Sequence, residues 1–167
     1  MPESNPLEIL LKHDCWATRQ MLDACAKLSH EQLHRRFEMG RGSLHDTTAH
    51  IIGAMRRWQD LLAGRADRPR IDQDGKDYPI AELIMLHDQI AAEFAELARS
   101  HPLQDVLVAE RGGIKYTFTR GAILTHVTTH GMHHRAQCLN MLRHVGVSPL
   151  PPSSVLEWMR MVDGAER

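Results

Sequence analysis

Apolar residues recur at three- and four-residue steps in four long blocks, separated by polar connections that carry Gly and Pro. This is the signature of helices that bury one face. The first block puts Leu7, Leu11, Thr18, Met21, Cys25 and Leu28 on one stripe, with Asn5 predicted as N-cap, Pro6 in the first turn and Glu8 completing a capping box. The second follows Gly40 and Gly42, is capped by Ser43, aligns Leu44, Ile51, Met55, Trp58 and Leu62, and stops before Gly64. Residues 65–78 are polar and read as an exposed connection. The third block runs from about Pro79 to Arg99, with Leu83, Leu86, Ile90, Phe94 and Leu97 inward. Val106-Leu107-Val108 and the run Ile114 to Phe118 flank Arg111-Gly112-Gly113, which predicts a short β-hairpin or, alternatively, an extended loop. Thr119 caps the fourth block, which ends near Val145 with Gly146 beyond it. After the break at Pro149 to Pro152, a short amphipathic helix carries Val155, Trp158 and Met159. The fold class is therefore all-α. The connections are too long for a minimal up-down arrangement and imply a four-helix bundle with at least one crossover connection, with residues 1–167 as a single helical-bundle domain.

Composition excludes several classes of partner. Lys and Arg total 20 against 21 Asp and Glu, a formal charge of −1, so no global field draws the chain to nucleic acid or an anionic membrane. Arg56-Arg57 reads as a solvated helix face. No run approaches the ~20 apolar residues that span a bilayer, and the N-terminal segment lacks a signal-peptide pattern. Cys15, Cys25 and Cys138 show no CxxC spacing, consistent with reduced thiols and a cytoplasmic location.

Histidine changes the picture, with 12 in 167 residues and four of them between His126 and His134. On a helical wheel advancing about 100° per residue from Ile123, Met141 returns to about 0°, Val127 and Val145 lie at about 40° and Cys138 at about 60°. His134 falls at about 20° and His130 at about 340°, within and beside that core arc. By contrast, His126 at about 300° and His133 at about 280° lie on its flank. His130 and His134 are thus stacked i,i+4 on the inward face, a spacing that lets two imidazoles grip one metal ion. An i,i+4 pair also arises by chance in a His-rich chain, and a core histidine is the competing reading. On the second helix, His50 sits at the edge of the core stripe with Thr47, Ala54 and Leu61, making it the third candidate ligand. His45 projects to the opposite, more polar side. His13, His30, His34, His87, His101 and His144 read as surface or helix-end residues.

The run Gly42-Ser43-Leu44-His45-Asp46-Thr47-Thr48-Ala49-His50-Ile51, with Trp58 beyond it, resembles the second helix of DinB-family proteins (DinB/YfiT-like). The run from Thr125 through His126, His130, His133 and His134 to Gln137, followed by Met141-Leu142-Arg143 and Gly146-Val147, resembles their late His-rich helix. Cys15-Trp16-Ala17 is similar to the aromatic position of their first helix, although Thr18 stands where the family often has Asn. The resemblance implies a four-helix bundle with left-handed crossover connections, commonly a homodimer, and a metal site on His50, His130 and His134.

Three histidines leave coordination open, the arrangement of a catalytic rather than a structural site. The open position suits a water, whose pKa the metal lowers, or a thiolate. Relatives that use low-molecular-weight thiols imply a metal-dependent S-transferase with a thiol cosubstrate. The alternatives are a hydrolase using metal-bound hydroxide and a non-catalytic metal-binding or dimeric scaffold. Zinc or nickel leads as the single divalent ion per chain, and iron or manganese also suit three imidazoles. Asp14, on the inward side of the first helix, is expected to orient a ligand imidazole. His126 and Gln137 are expected at the pocket mouth. Cys138, one turn after His134, reads as a small buried residue rather than a ligand.

Overall fold

A computed structural model describes residues 3–162. It is mostly helical, with four long helices: α1 (Pro6–Cys25), α3 (Leu44–Leu62), α4 (Ile80–Arg99) and α5 (Arg120–His144). Two short helices, α2 (His30–His34) and α6 (Val155–Met161), and a hairpin of β1 (Val106–Arg111) with β2 (Ile114–Thr119) complete it. No helix among the described residues is long and apolar enough to cross a membrane.

Local chemistry sets the ends of these elements. The side chains of Asn5, Ser43 and Thr119 accept backbone N–H groups in the first turns of α1, α3 and α5, as their positions predict. Glu8 departs from expectation. Its carboxylate makes a bidentate pair with Arg99 of α4 instead of a capping box, because a guanidinium fork offers it stronger partners than one backbone N–H. Past α3, Gly64 takes φ +64°, the left-handed conformation that ends a helix at little cost for glycine. The hairpin turns on Gly112 and Gly113, both at positive φ, which matches the strand twist. Val106 pairs with Thr119 and Arg111 with Ile114.

Packing follows the apolar stripes. α1 lies against α4 and α5, and α3 lies against the same two helices, so the consecutive long helices α1 and α3 share neighbours. Met21, Leu22, Leu44, Ile52, Leu83, Ile123, Met141 and Leu142 fill the space between them, all fully buried. One charged pair is embedded there. Arg135 of α5 and Asp14 of α1 are both buried and form a salt bridge, and Arg135 Nη1 also donates to Thr18 Oγ1 at 3.0 Å. Gly131 makes room for this pair, since a Cβ there would sit 2.7 Å from Asp14 Oδ1 and 2.9 Å from Arg135 Nη1.

Three histidines lie deeper than the sequence places them. His45 is buried and its Nε2–H donates to the Tyr78 carbonyl at 2.9 Å, because the end of the 65–79 connection folds over what the helix phase alone marks as a polar side. His87 is fully buried, with Nδ1 3.1 Å from Asp88 Oδ1 and Nε2 without a hydrogen-bond partner. His13 is covered by the segment before α6, and its Nε2 is 2.9 Å from the Ser153 carbonyl.

Candidate metal centre

His130 and His134 occupy successive turns of α5, as their i,i+4 spacing requires. His50 meets them from α3, which packs against α5. The ligand-capable atoms of the three rings lie within 4.8 Å of one another, so this half-buried group could hold a metal ion. His50 Nε2 and His130 Nε2 are 3.2 Å apart, and the His50 and His134 rings meet edge-on with centroids 4.8 Å apart.

Hydrogen bonds to the far sides of two rings fix their tautomers. His50 Nδ1–H donates to Asp72 Oδ2 at 2.8 Å. His134 Nδ1–H donates to Gln137 Oε1 at 2.7 Å, while the Gln137 amide N–H donates to His133 Nε2 at 3.1 Å. A carboxylate and an amide oxygen facing Nδ1 leave Nε2 as the lone-pair nitrogen on both rings. Burial, reinforced by the neighbouring imidazoles His134 and His50, pushes the His130 pKa down to about 4. Burial also lowers that of His134, against the Gln137 hydrogen bond. These rings are therefore neutral at neutral pH, the state in which imidazole ligates a metal. The donor set fits a divalent ion: three convergent imidazoles, two of them oriented by outer acceptors.

Asp72 is the member of this cluster that periodicity does not single out. It lies in the polar connection between α3 and α4, yet its side chain is only 4% exposed. Burial alone would raise its pKa, but two hydrogen bonds from Arg70, at 3.0 and 2.7 Å, and the one from His50 hold it below the usual carboxylate range. Two signals mark it in the sequence. Ile71, fully buried beside it, is an apolar residue in a polar stretch. Gly53, one turn after His50, leaves space where a Cβ would stand 3.1 Å from Asp72 Oδ1.

The remaining candidates sort clearly. Asp14 does not orient a ligand imidazole. Its carboxylate is engaged by Arg135, whose guanidinium out-competes an imidazole N–H, and Asp72 and Gln137 take the orienting role. Gln137 contacts His134 directly, and Gly40 at φ +58° passes so close that a Cβ would be 3.2 Å from Gln137 Oε1. His126 is exposed and joins an aromatic row: its ring centroid is 5.5 Å from His130 and 5.2 Å from Trp58, and Trp58 meets Phe118 of the hairpin at 5.6 Å. Cys138 is fully buried in the hydrophobic core. Its thiol pKa is raised well above the ordinary value by burial, and that of Cys25 is raised to about 12. Cys15 is raised as well, again through burial first.

The chain is similar to known proteins in sequence and in fold. The Protein DinB of Bacillus subtilis (strain 168) is 23% identical over 151 residues, covering 85% of this chain and 87% of that protein. The crystal structure of a DinB-like protein from Bacillus cereus ATCC 10987 aligns with a TM-score of 0.67 at 18% identity, covering 86% of this chain and 92% of that one, a likeness of fold. The sequence profile of the DinB family matches residues 1–160, and the chain belongs to that family.

Proposed function

We propose that this protein binds one divalent metal ion through His50, His130 and His134 and works as a metal-dependent S-transferase that takes an exogenous low-molecular-weight thiol. The observation that carries the metal site is the convergence of three imidazoles within 4.8 Å, with His50 and His134 held from behind by Asp72 and Gln137. An ion there, zinc or nickel first among the candidates, would supply a Lewis acid for a thiolate or another anionic group of the substrate. Asp72 keeps the His50 lone pair aimed inward and balances positive charge gathered at the centre. The chain's own thiols do not serve as nucleophiles. All three have pKa values raised by burial and remain protonated at neutral pH, so thiol chemistry here calls for an external thiol. The aromatic row of His126, Trp58 and Phe118 offers a flat apolar surface leading to His130.

The same reading takes residues 1–167 as one domain of a cytoplasmic homodimer that engages neither nucleic acid nor membrane. The pairing of α1 and α3 with the same two helices supports a crossover connection. Elemental analysis of the untagged protein, beside His50→Ala and His130→Ala, tests the metal site. About one ion per chain at this centre, lost in both variants, is expected, and an unchanged content in both would overturn it. Turnover of electrophilic substrates that stops when thiol is withheld supports the transferase, and thiol-independent hydrolysis would replace it with a hydrolase.

A further inference from the structure

Away from the first cluster, α2 and the end of the 65–79 connection gather a second group. His30 Nε2 lies 3.3 Å from Asp77 Oδ2, and His34 Nε2 lies 3.0 Å from Asp77 Oδ1. The ligand-capable atoms of His30, His34 and Asp77 all fall within 4.8 Å of one another. His45 adds a third imidazole, with Nε2 3.1 Å from Asp77 Oδ1. The three rings form a stack, with centroids 4.0 Å apart for His30 and His34 and 4.5 Å apart for His34 and His45.

Proton placement makes this more than a surface ion pair. His34 Nδ1 faces the His30 carbonyl at 2.9 Å, and a carbonyl only accepts, so Nδ1 carries the ring proton. The other ring nitrogen, Nε2, then faces a carboxylate oxygen 3.0 Å away, an arrangement that a cation between the two would satisfy. A proton would serve for one ring. His30 brings a second ring nitrogen to the other oxygen of the same carboxylate, so two imidazoles from successive turns converge on Asp77. One divalent cation placed among them engages both ring nitrogens and the carboxylate at once. The spacing fits too, because donors bound at ~2.0–2.1 Å around a tetrahedral ion lie about 3.3 Å apart.

We propose that His30, His34 and Asp77 form a second divalent-cation site, with His45 as a positioning residue that holds the Asp77 carboxylate. The His45 Nε2–H donates to the Tyr78 carbonyl at 2.9 Å, and the same nitrogen lies 3.1 Å from Asp77 Oδ1, so this buried ring backs the carboxylate from inside the protein. The side chains of His30 and Asp77 are 76% and 60% exposed, which leaves the outer face of the ion to water. Two imidazoles, one carboxylate and water select zinc, nickel or cobalt over calcium or magnesium. The bound ion ties the five-residue helix α2 to the connection that enters α4.

Zinc titration of the metal-free, full-length protein tests this without depending on the first centre. In a His130→Ala background, zinc uptake of about one equivalent is expected, and adding His34→Ala should weaken it at least tenfold. Asp77→Asn should do the same and removes no buried group. Cobalt(II) added to the His130→Ala protein should give visible d–d bands that disappear in the double variant. Equal uptake and equal spectra in His130→Ala and His130→Ala/His34→Ala would overturn the second site and leave a protonated ion pair. Failure of the first site shows separately, as equal uptake in His34→Ala and His34→Ala/His130→Ala.

Discussion

Two pairs of histidines share one spacing and differ in nearly everything else. His130 and His134 lie on the 25-residue helix α5, half-buried beside His50, while His30 and His34 make up the ends of the five-residue α2. The carboxylate behind the first group, Asp72, is 4% exposed and locked by Arg70, whereas Asp77 is 60% exposed. The i,i+4 rule therefore supplies proximity and nothing more. Burial sets the protonation state by expelling charge, and an outer acceptor sets the direction of the lone pair. In the first group both are settled by folding. In the second, water reaches the ligands, so affinity is expected to be lower and exchange faster.

Four experiments press on this contrast, in falling order of effect. Arg135→Met strikes the frame of the first group, leaving Asp14 buried without its partner. A loss of about 3–5 kcal/mol in unfolding free energy is expected from denaturant titration, whereas a change at exposed Glu31 on α2 should leave stability within about 0.5 kcal/mol. An Arg135→Met protein as stable as the parent would show that the frame is not what distinguishes the two. Removing a ligand comes next: His130→Ala should weaken binding at the first centre by more than the roughly 10–100-fold that an outer carboxylate contributes. Asp72→Asn keeps a hydrogen-bond acceptor for His50 but drops the charge, and a weakening of roughly 10–100-fold should appear in competition with a chelator. Gln137→Ala releases only the neutral contact to His134, and a change of less than about tenfold is expected in the same assay.

Acid stability offers a control outside both groups. Burial lowers the pKa of His87 below its ordinary value of 6.5, so the unfolded chain takes up this proton before the folded one. The resulting stability is complete above pH 6.5 and is lost as pH falls through the depressed folded-state value. His87→Leu should flatten this part of the pH profile, read by chemical denaturation of metal-free protein. An unchanged slope would assign the acid sensitivity to other groups.

How much of this is readable in the sequence depends on the range of the interaction. The long helices, their caps and the inward facing of His130 and His134 are local properties, written at three- and four-residue intervals. The hairpin is readable as one of two alternatives, and Gly112-Gly113 at positive φ decides for it. Helix α2 is too short for periodicity to reveal, although Ser29 and Gln32 form the reciprocal capping box that marks its start. The depth of His45, His87 and His13 is not legible because each is covered by a segment distant in sequence. Tyr78 crosses His45, α1 and α4 pack together over the side of α4 that carries His87, and the Ser153 segment covers His13. Asp72 escapes for the same reason, since it meets His50 across 22 positions of chain.

The 65–79 connection has the composition of a stretch that tolerates insertion, polar and interrupted by Gly and Pro. It is anchored by buried Ile71 near its middle and Tyr78 near its end, and between them it delivers Asp72 to one histidine group and Asp77 to the other. Asp72 follows the first anchor directly and Asp77 precedes the second directly, so each carboxylate is placed by its own buried neighbour. The segment acts as a double clamp: two buried residues pin a polar strap and present one carboxylate to each histidine cluster.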